Sequence, residues 1–153
     1  MIVLNIKKLS AVAGFAIVVP FSVSLAHSDT TGIQPDVAAR MAVMTQIKDA
    51  MAPLGGMAKG AVEFDAAVAQ AAVASLLDAS ERTAAVFEAN VSDPKSEALP
   101  AIWENWDDFV SKSGDLTFAA EGWDVSSLDN LRAGMGNIGA ACSACHKAYR
   151  MKK

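Results

Sequence analysis

The sequence predicts an all-α protein, an up-down-up-down antiparallel four-helix bundle. Three observations carry this. Four stretches repeat apolar residues at spacings of three and four, the period of one helix face. Short polar or proline-bearing segments separate them, which suits antiparallel neighbours. Aromatic residues are 7% of the 153, alanine is abundant, and β-branched runs are short beyond residue 26. That composition favours helix over strand. No β-pattern, repeat or low-complexity segment competes.

Residues 1–26 stand apart. Lys7 and Lys8 form a basic start, Leu9 to Phe21 an apolar core broken by Ser10, Gly14 and Pro20, and Ser24-Leu25-Ala26 puts small residues at the −3 and −1 positions of a cleavage site. This is the build of a cleaved secretory signal peptide, too short in its apolar core for a spanning helix. An uncleaved anchor is the alternative. Cleavage after Ala26 leaves one domain, residues 27–153, with no second stretch long enough to span a membrane. Losing Lys7 and Lys8 takes the net charge from −4 to −6. A net acidic surface lacks the basic footprint that nucleic acid requires.

After a polar tail, Pro35 suits the first turn of a helix. Val37, Met41, Met44, Ile47, Met51, Leu54 and Ala58 then form one stripe on a first helix of about six turns. Pro53 predicts a kink or an early end, and Gly55, Gly56 and Gly60 weaken the C-terminal part further. A second helix runs from about Val62 to Phe87, with Val62, Ala69, Val73, Leu76, Ser80, Thr83 and Phe87 on one stripe. Glu63, Asp65 and Asp78 read as its solvated face. Pro94 marks the loop after this helix. The third helix begins near Pro100. Leu99, Trp103, Trp106, Phe109 and Val110 form its apolar face, Asp107 and Asp108 point outward, and it ends between Ser113 and Gly122. Ser126 or Ser127 caps the fourth. Leu128, Leu131, Met135, Ile138, Cys142, Cys145 and Tyr149 make its regular stripe. Gly134, Gly136 and Gly139 on this helix imply that something flat or bulky passes close to the backbone.

The chemistry gathers at Cys142-Ser143-Ala144-Cys145-His146, which holds the only two cysteines. C-x-x-C-H is the attachment pattern of a c-type haem. On a helix, thiols three apart share a face and reach two vinyl groups of one porphyrin, and His146, four after Cys142, presents an imidazole to the iron. A disulfide between these two would close a tiny loop and stabilise little. A thioredoxin-like pair opens a helix after a strand, whereas this one ends a helical pattern. A zinc site needs four ligands, and the other histidine, His27, lies at the far end. The expected fold is therefore a four-helix bundle with covalently bound haem c and its iron.

The mature chain resembles the class II cytochromes c, the cytochrome c′ and cytochrome c-556 group. The resemblance rests on C-x-x-C-H followed by Lys147-Ala148-Tyr149-Arg150 at the very end. Arg40 with Met44 four later, Met51, Lys59-Gly60, and Ala101-Ile102-Trp103 followed by Phe109 support it. Gly114 to Trp123 departs from the family pattern. The resemblance implies a periplasmic location and electron transfer or gas binding. It also implies that the sixth iron position is either filled by a first-helix methionine, here Met44, or left open beneath an apolar side chain. The residues alone leave Met44 as core or ligand, although an antiparallel bundle brings it to about the height of His146, whereas Met41 and Met51 fit less well.

Four residues have weaker claims. Arg40 and Arg150 pair with haem propionates or with solvent. Trp103 and Tyr149 pack on the porphyrin edge or in an ordinary core. The leading reading is a periplasmic carrier of single electrons, with iron held by His146 and Met44 and redox proteins as partners. The alternative is a vacant-site protein that binds NO or CO. A peroxidase would need a distal acid–base residue, and no histidine near the first helix supplies one; no enzyme activity is expected. An apolar outer stripe on the first two helices serves a homodimer or the core equally. On the processing signal, intact-mass analysis of periplasmic protein should give a chain beginning at His27; a mass retaining residues 1–26 refutes cleavage.

Overall fold

The computed structural model describes residues 32–152. The expected signal peptide, residues 1–26, lies outside the described residues. Among the described residues there are five helices: α1 Pro35–Ala58, α2 Ala66–Phe87, α3 Ala101–Glu104, α4 Trp106–Glu121 and α5 Leu128–Tyr149. The four long ones close a ring, α1 on α2, α2 on α4, α4 on α5, and α5 back on α1.

Side-chain pairs fix the directions. Gln46 of α1 meets Asp78 of α2, while Arg40, earlier on α1, reaches Val86 near the end of α2. Ser80 meets Thr117 and Phe87 meets Phe109, so α2 and α4 run oppositely. Phe109 meets Tyr149 while Trp123, just past α4, bonds Leu131 near the start of α5. Arg132 bonds Ala58 O at the end of α1. Every neighbour is antiparallel, which is the expected bundle.

Local chemistry explains most boundaries. Pro35 opens α1, its missing N–H costing nothing there. Asp65 caps α2, accepting from the backbone N–H of Ala67 and Val68. Ser127 caps α5 through Asn130 N–H. Several expectations shift. Helix α1 does not stop at Pro53; it continues to Ala58 because Leu54 and Met57 are buried in the core on the far side of the proline. Helix α2 starts at Ala66, after the Asp65 cap, and leaves Val62 exposed. Asp65 and Asp78 are not idle surface charges. The first caps a helix, and the second accepts from Gln46 and Arg82 across α1 and α2. The third helix is interrupted at Asn105 (φ −131°, ψ 50°), whose side-chain amide donates to Ala101 O. Val110 is exposed, not on the aromatic face.

The buried stripe of α1 is Val37, Arg40, Val43, Ile47, Ala50, Leu54 and Met57. It is rotated from the expected one, so Met44 and Met51 lie only partly buried at the edge of the core and Met41 is exposed. Two apolar clusters result. The larger joins Leu54, Met57, Leu76, Trp123, Leu131 and Ile138. The smaller joins Phe87, Ile102, Phe109 and Tyr149.

Of the three glycines expected to admit a close neighbour on α5, only Gly134 does. A Cβ there would lie 2.2 Å from the Trp123 ring, whereas Gly136 and Gly139 face open space. The Trp123 indole occupies this gap and donates to Leu131 O at 3.1 Å. Gly134→Ala should therefore destabilise the protein by about 1–3 kcal/mol through overpacking. Gly136→Ala and Gly139→Ala should stabilise it by up to ~1 kcal/mol through helix propensity. Denaturant unfolding of the three variants checks the contrast in sign.

Candidate functional site

Between α1 and α5 lies a mainly apolar cavity of about 550 Å³, within the size range of cofactor sites. Met41, Met44 and Met51 of α1 line one wall, and Cys142, Cys145 and His146 of α5 line another. Phe87, Ile102 and Phe109 close its end. The helical spacing expected of C-x-x-C-H is present, since all five residues lie inside α5. Met44 touches both apolar clusters; Cys142 packs on the larger and Cys145 on the smaller. Met44 thus spans the same junction as the two cysteines. Met41 is 41% exposed at the rim.

The ionisation states fit cofactor attachment better than thiol redox chemistry. Burial pushes both thiols above their usual range, and Cys142 adds to this for Cys145. A redox-active C-x-x-C pair needs the opposite shift. Desolvation, then the Arg150 guanidinium, lowers the His146 pKa, which favours the neutral imidazole that binds metal. Among the described residues no group of three or more His, Cys, Asp or Glu comes together. An apolar slot with two thiols, an imidazole and a thioether on facing helices fits a haem.

Arg40 also lines the cavity. It is only 3% exposed, and its guanidinium donates to Val86 O at 3.3 Å, Val91 O at 3.0 Å and Ala89 O. Its charge meets one carbonyl in the last turn of α2 and two just beyond it, where the helix dipole favours a cation. It lies over the rings of Trp103 and Phe87, at 4.9 and 5.4 Å. All three of its nitrogens donate to main-chain carbonyls, so Arg40 fastens α1 to the end of α2 beside the cavity. Trp103 does not line the cavity. Its indole donates to Phe87 O at 2.8 Å and packs against Arg40, so the porphyrin-edge role expected of it falls. Tyr149 does line the cavity, edge-on to Phe109 at 5.4 Å.

Arg150 lines the cavity too, paired with Glu97 at 2.6 Å. This pair reveals a feature with no signature in the sequence beyond a loop marked by Pro94. Lys95, Ser96, Glu97 and Ala98 form a strap along the cavity. Its start is tied to α1 by Gln34 N–H donating to Asp93 at 3.0 Å. Its end is tied to α5, with Leu99 N–H donating to Tyr149 O at 2.9 Å and Met151 N–H to Glu97 O at 2.8 Å.

A helical bundle whose last helix carries C-x-x-C-H against an apolar cavity is the build of a c-type haem protein. The chain belongs to the cytochrome c′ family: the family described as Cytochrome C' matches residues 36–150. It is 36% identical to a cytochrome c-556 of Agrobacterium tumefaciens (strain apple 185), over 75% of this chain and 94% of that one. Its fold matches cytochrome c′ from Rhodopseudomonas palustris with a TM-score of 0.73 at 32% identity, covering 78% of this chain and 98% of the other. It also matches a nitric oxide complex of a mutant cytochrome c prime from Alcaligenes xylosoxidans, at TM-score 0.70 and 31% identity, covering 77% and 94%. The family carries covalent haem c, and haem c with its iron is the cofactor of this chain, attached through Cys142 and Cys145. No helix among the described residues is long and apolar enough to cross a membrane.

Tyr149 gives a direct check on this geometry, because it is the only tyrosine. Its hydroxyl donates to Asp108, which also accepts from Lys112 at 2.7 Å. The Asp108 hydrogen bond, then burial, pushes the phenol up to about 12. The folded state thus holds the proton after the unfolded chain, near 10, has lost it. The stabilisation is present below pH 10 and is lost as pH rises through 12. A ¹³C-tyrosine NMR titration should show one phenol titrating near 12, and Asp108→Asn should move it toward 10. A wild-type midpoint near 10 refutes the contact.

Proposed function

We propose that this protein carries single electrons in the periplasm, with haem iron held by His146 of α5 and Met44 of α1. The observation that carries this reading is the position of Met44. It lies on the cavity wall, at the junction of the two apolar clusters that also receive Cys142 and Cys145. Met41 at the rim and Met51, which packs on the larger cluster alone, are less well situated. The haem supplies the Fe(III)/Fe(II) couple. The chain's own residues do the rest. Cys142 and Cys145 anchor the macrocycle, and His146 offers a neutral imidazole. The Met44 thioether favours the ferrous state, and the apolar wall excludes water. Arg150 lines the cavity beside the Glu97 pair and supplies a cation for a propionate. Residues 1–26 support export, and redox proteins of the same compartment are the partners.

The second reading is a vacant sixth site that binds NO or CO. One structural relative is a nitric oxide complex, and an apolar cavity wall suits a diatomic ligand.

The Met44→Ala variant separates the two. The wild-type protein should be six-coordinate and low-spin in both oxidation states and should bind CO poorly. Met44→Ala should turn high-spin, lose reduction potential and bind CO readily in the ferrous state. Met41→Ala and Met51→Ala should leave the spin state unchanged. A wild-type protein that is already five-coordinate and binds CO freely makes Met44 a wall residue and establishes the gas-binding reading.

A further inference from the structure

We infer that the outer side of His146 is a docking face for an acidic protein redox partner, an inference that rests on the electron-carrier reading. Outside the cavity, a second and more open hollow is lined by Ser143, His146, Lys147, Arg150, Met151 and Lys152. His146 and Arg150 line both spaces. The imidazole, with Arg150 beside it, therefore connects the cofactor cavity to this patch of surface.

The charge of the hollow opposes that of the chain. The sequence holds 17 acidic residues against 13 Lys and Arg, a net charge of −4, yet no acid lines this hollow. Arg150 is offset by Glu97 at 2.6 Å. Lys147 and Lys152 form no ion pair among the described residues. Neither do they line the cavity, so they are not placed to neutralise haem propionates inside it. Lys48, Lys95 and Lys112 line the cavity instead. The partial negative charge at the C-terminal end of α5 is local and about half an elementary charge, less than the two lysines carry. Met151, 46% exposed, supplies an apolar contact among them. A cationic rim around a redox-linked side chain, on a molecule otherwise negative, steers and orients an approaching anion. The partner that fits presents Asp and Glu around its own redox centre. One electron then passes from the reduced partner to the haem, with no bond made or broken.

Stopped-flow oxidation of the reduced holoprotein tests this with two small probes, anionic hexacyanoferrate(III) and cationic tris(phenanthroline)cobalt(III). If the hollow governs access, the hexacyanoferrate rate should fall as salt rises, although the whole molecule is negative. The cobalt probe should show no such fall. Lys147→Glu and Lys152→Glu should each lower the low-salt hexacyanoferrate rate about three- to tenfold, a modest share of the range of steering effects. Lys59→Glu, the same charge change at the end of α1, should not. Poly-L-glutamate should compete with hexacyanoferrate. A hexacyanoferrate rate that rises with salt, or an equal effect of Lys59→Glu, overturns the proposal. So does competition by phosphatidylglycerol vesicles without competition by poly-L-glutamate, which would make the face a membrane surface. The sign of the salt slope decides the docking face; spin state and CO binding decide the carrier reading, so the two fail separately.

Discussion

The walls of α1 and α5 do not close on each other along the stretch that holds Met44 and His146, and this open apolar seam constrains everything around it. The seam is a half-open cavity of about 550 Å³ whose inner lining is largely methionine, aliphatic and aromatic side chains. A haem occupies such a space with apolar surface and ties it to α5 by two covalent bonds. Folding and cofactor attachment are therefore thermodynamically linked.

The rest of the bundle holds that seam open at a set width. Trp123 fills the gap over Gly134 at the far end and lets α5 run beside the core there. At the cavity end, Phe87, Phe109 and Tyr149 make a rigid aromatic wall, with centroids 5.1 and 5.4 Å apart. Buried Arg40 fastens the start of α1 to the end of α2 through carbonyls alone. Removing that side chain would take the donor from three partly buried carbonyls. The strap then joins the start of α1 to the end of α5, where the two helices are separated by the cofactor space. Its ties are the Gln34 N–H bond to the Asp93 carboxylate, backbone hydrogen bonds to α5 and one ion pair that is partly exposed. Such a pair contributes little stability by itself; its geometric effect is to keep Glu97 and Arg150 at the cavity mouth.

Electrostatics are set by the same layout. Desolvation acts on the two thiols and on His146 because they stand at the edge of an apolar space. Asp108 stays ionised beside Lys112 and Tyr149 because hydrogen bonds from both hold its carboxyl low. The cavity thus has uncharged donor groups on its α5 wall and cations along its rim.

What the linear sequence determined is local chemistry with a short period. The helical repeats, the Pro35 start, the Ser127 cap and C-x-x-C-H each act within about two turns, so they could be read without knowing the neighbours. The attachment residues and the antiparallel bundle were legible for that reason, and the family pattern directed attention to Met44. The tertiary structure decided which face of each helix turns inward. The stripe of α1 is rotated because Arg40 is drawn inward by carbonyls nearly fifty residues away, and no local period records such a partner. The same holds for Trp103, drawn off the cavity by Arg40 and Phe87 O, and for Gly136 and Gly139, which look like Gly134 but face no indole. The strap was invisible because its ties, Asp93 to Gln34 and Glu97 to Arg150, join residues more than fifty apart in the chain. Only packing brings them together.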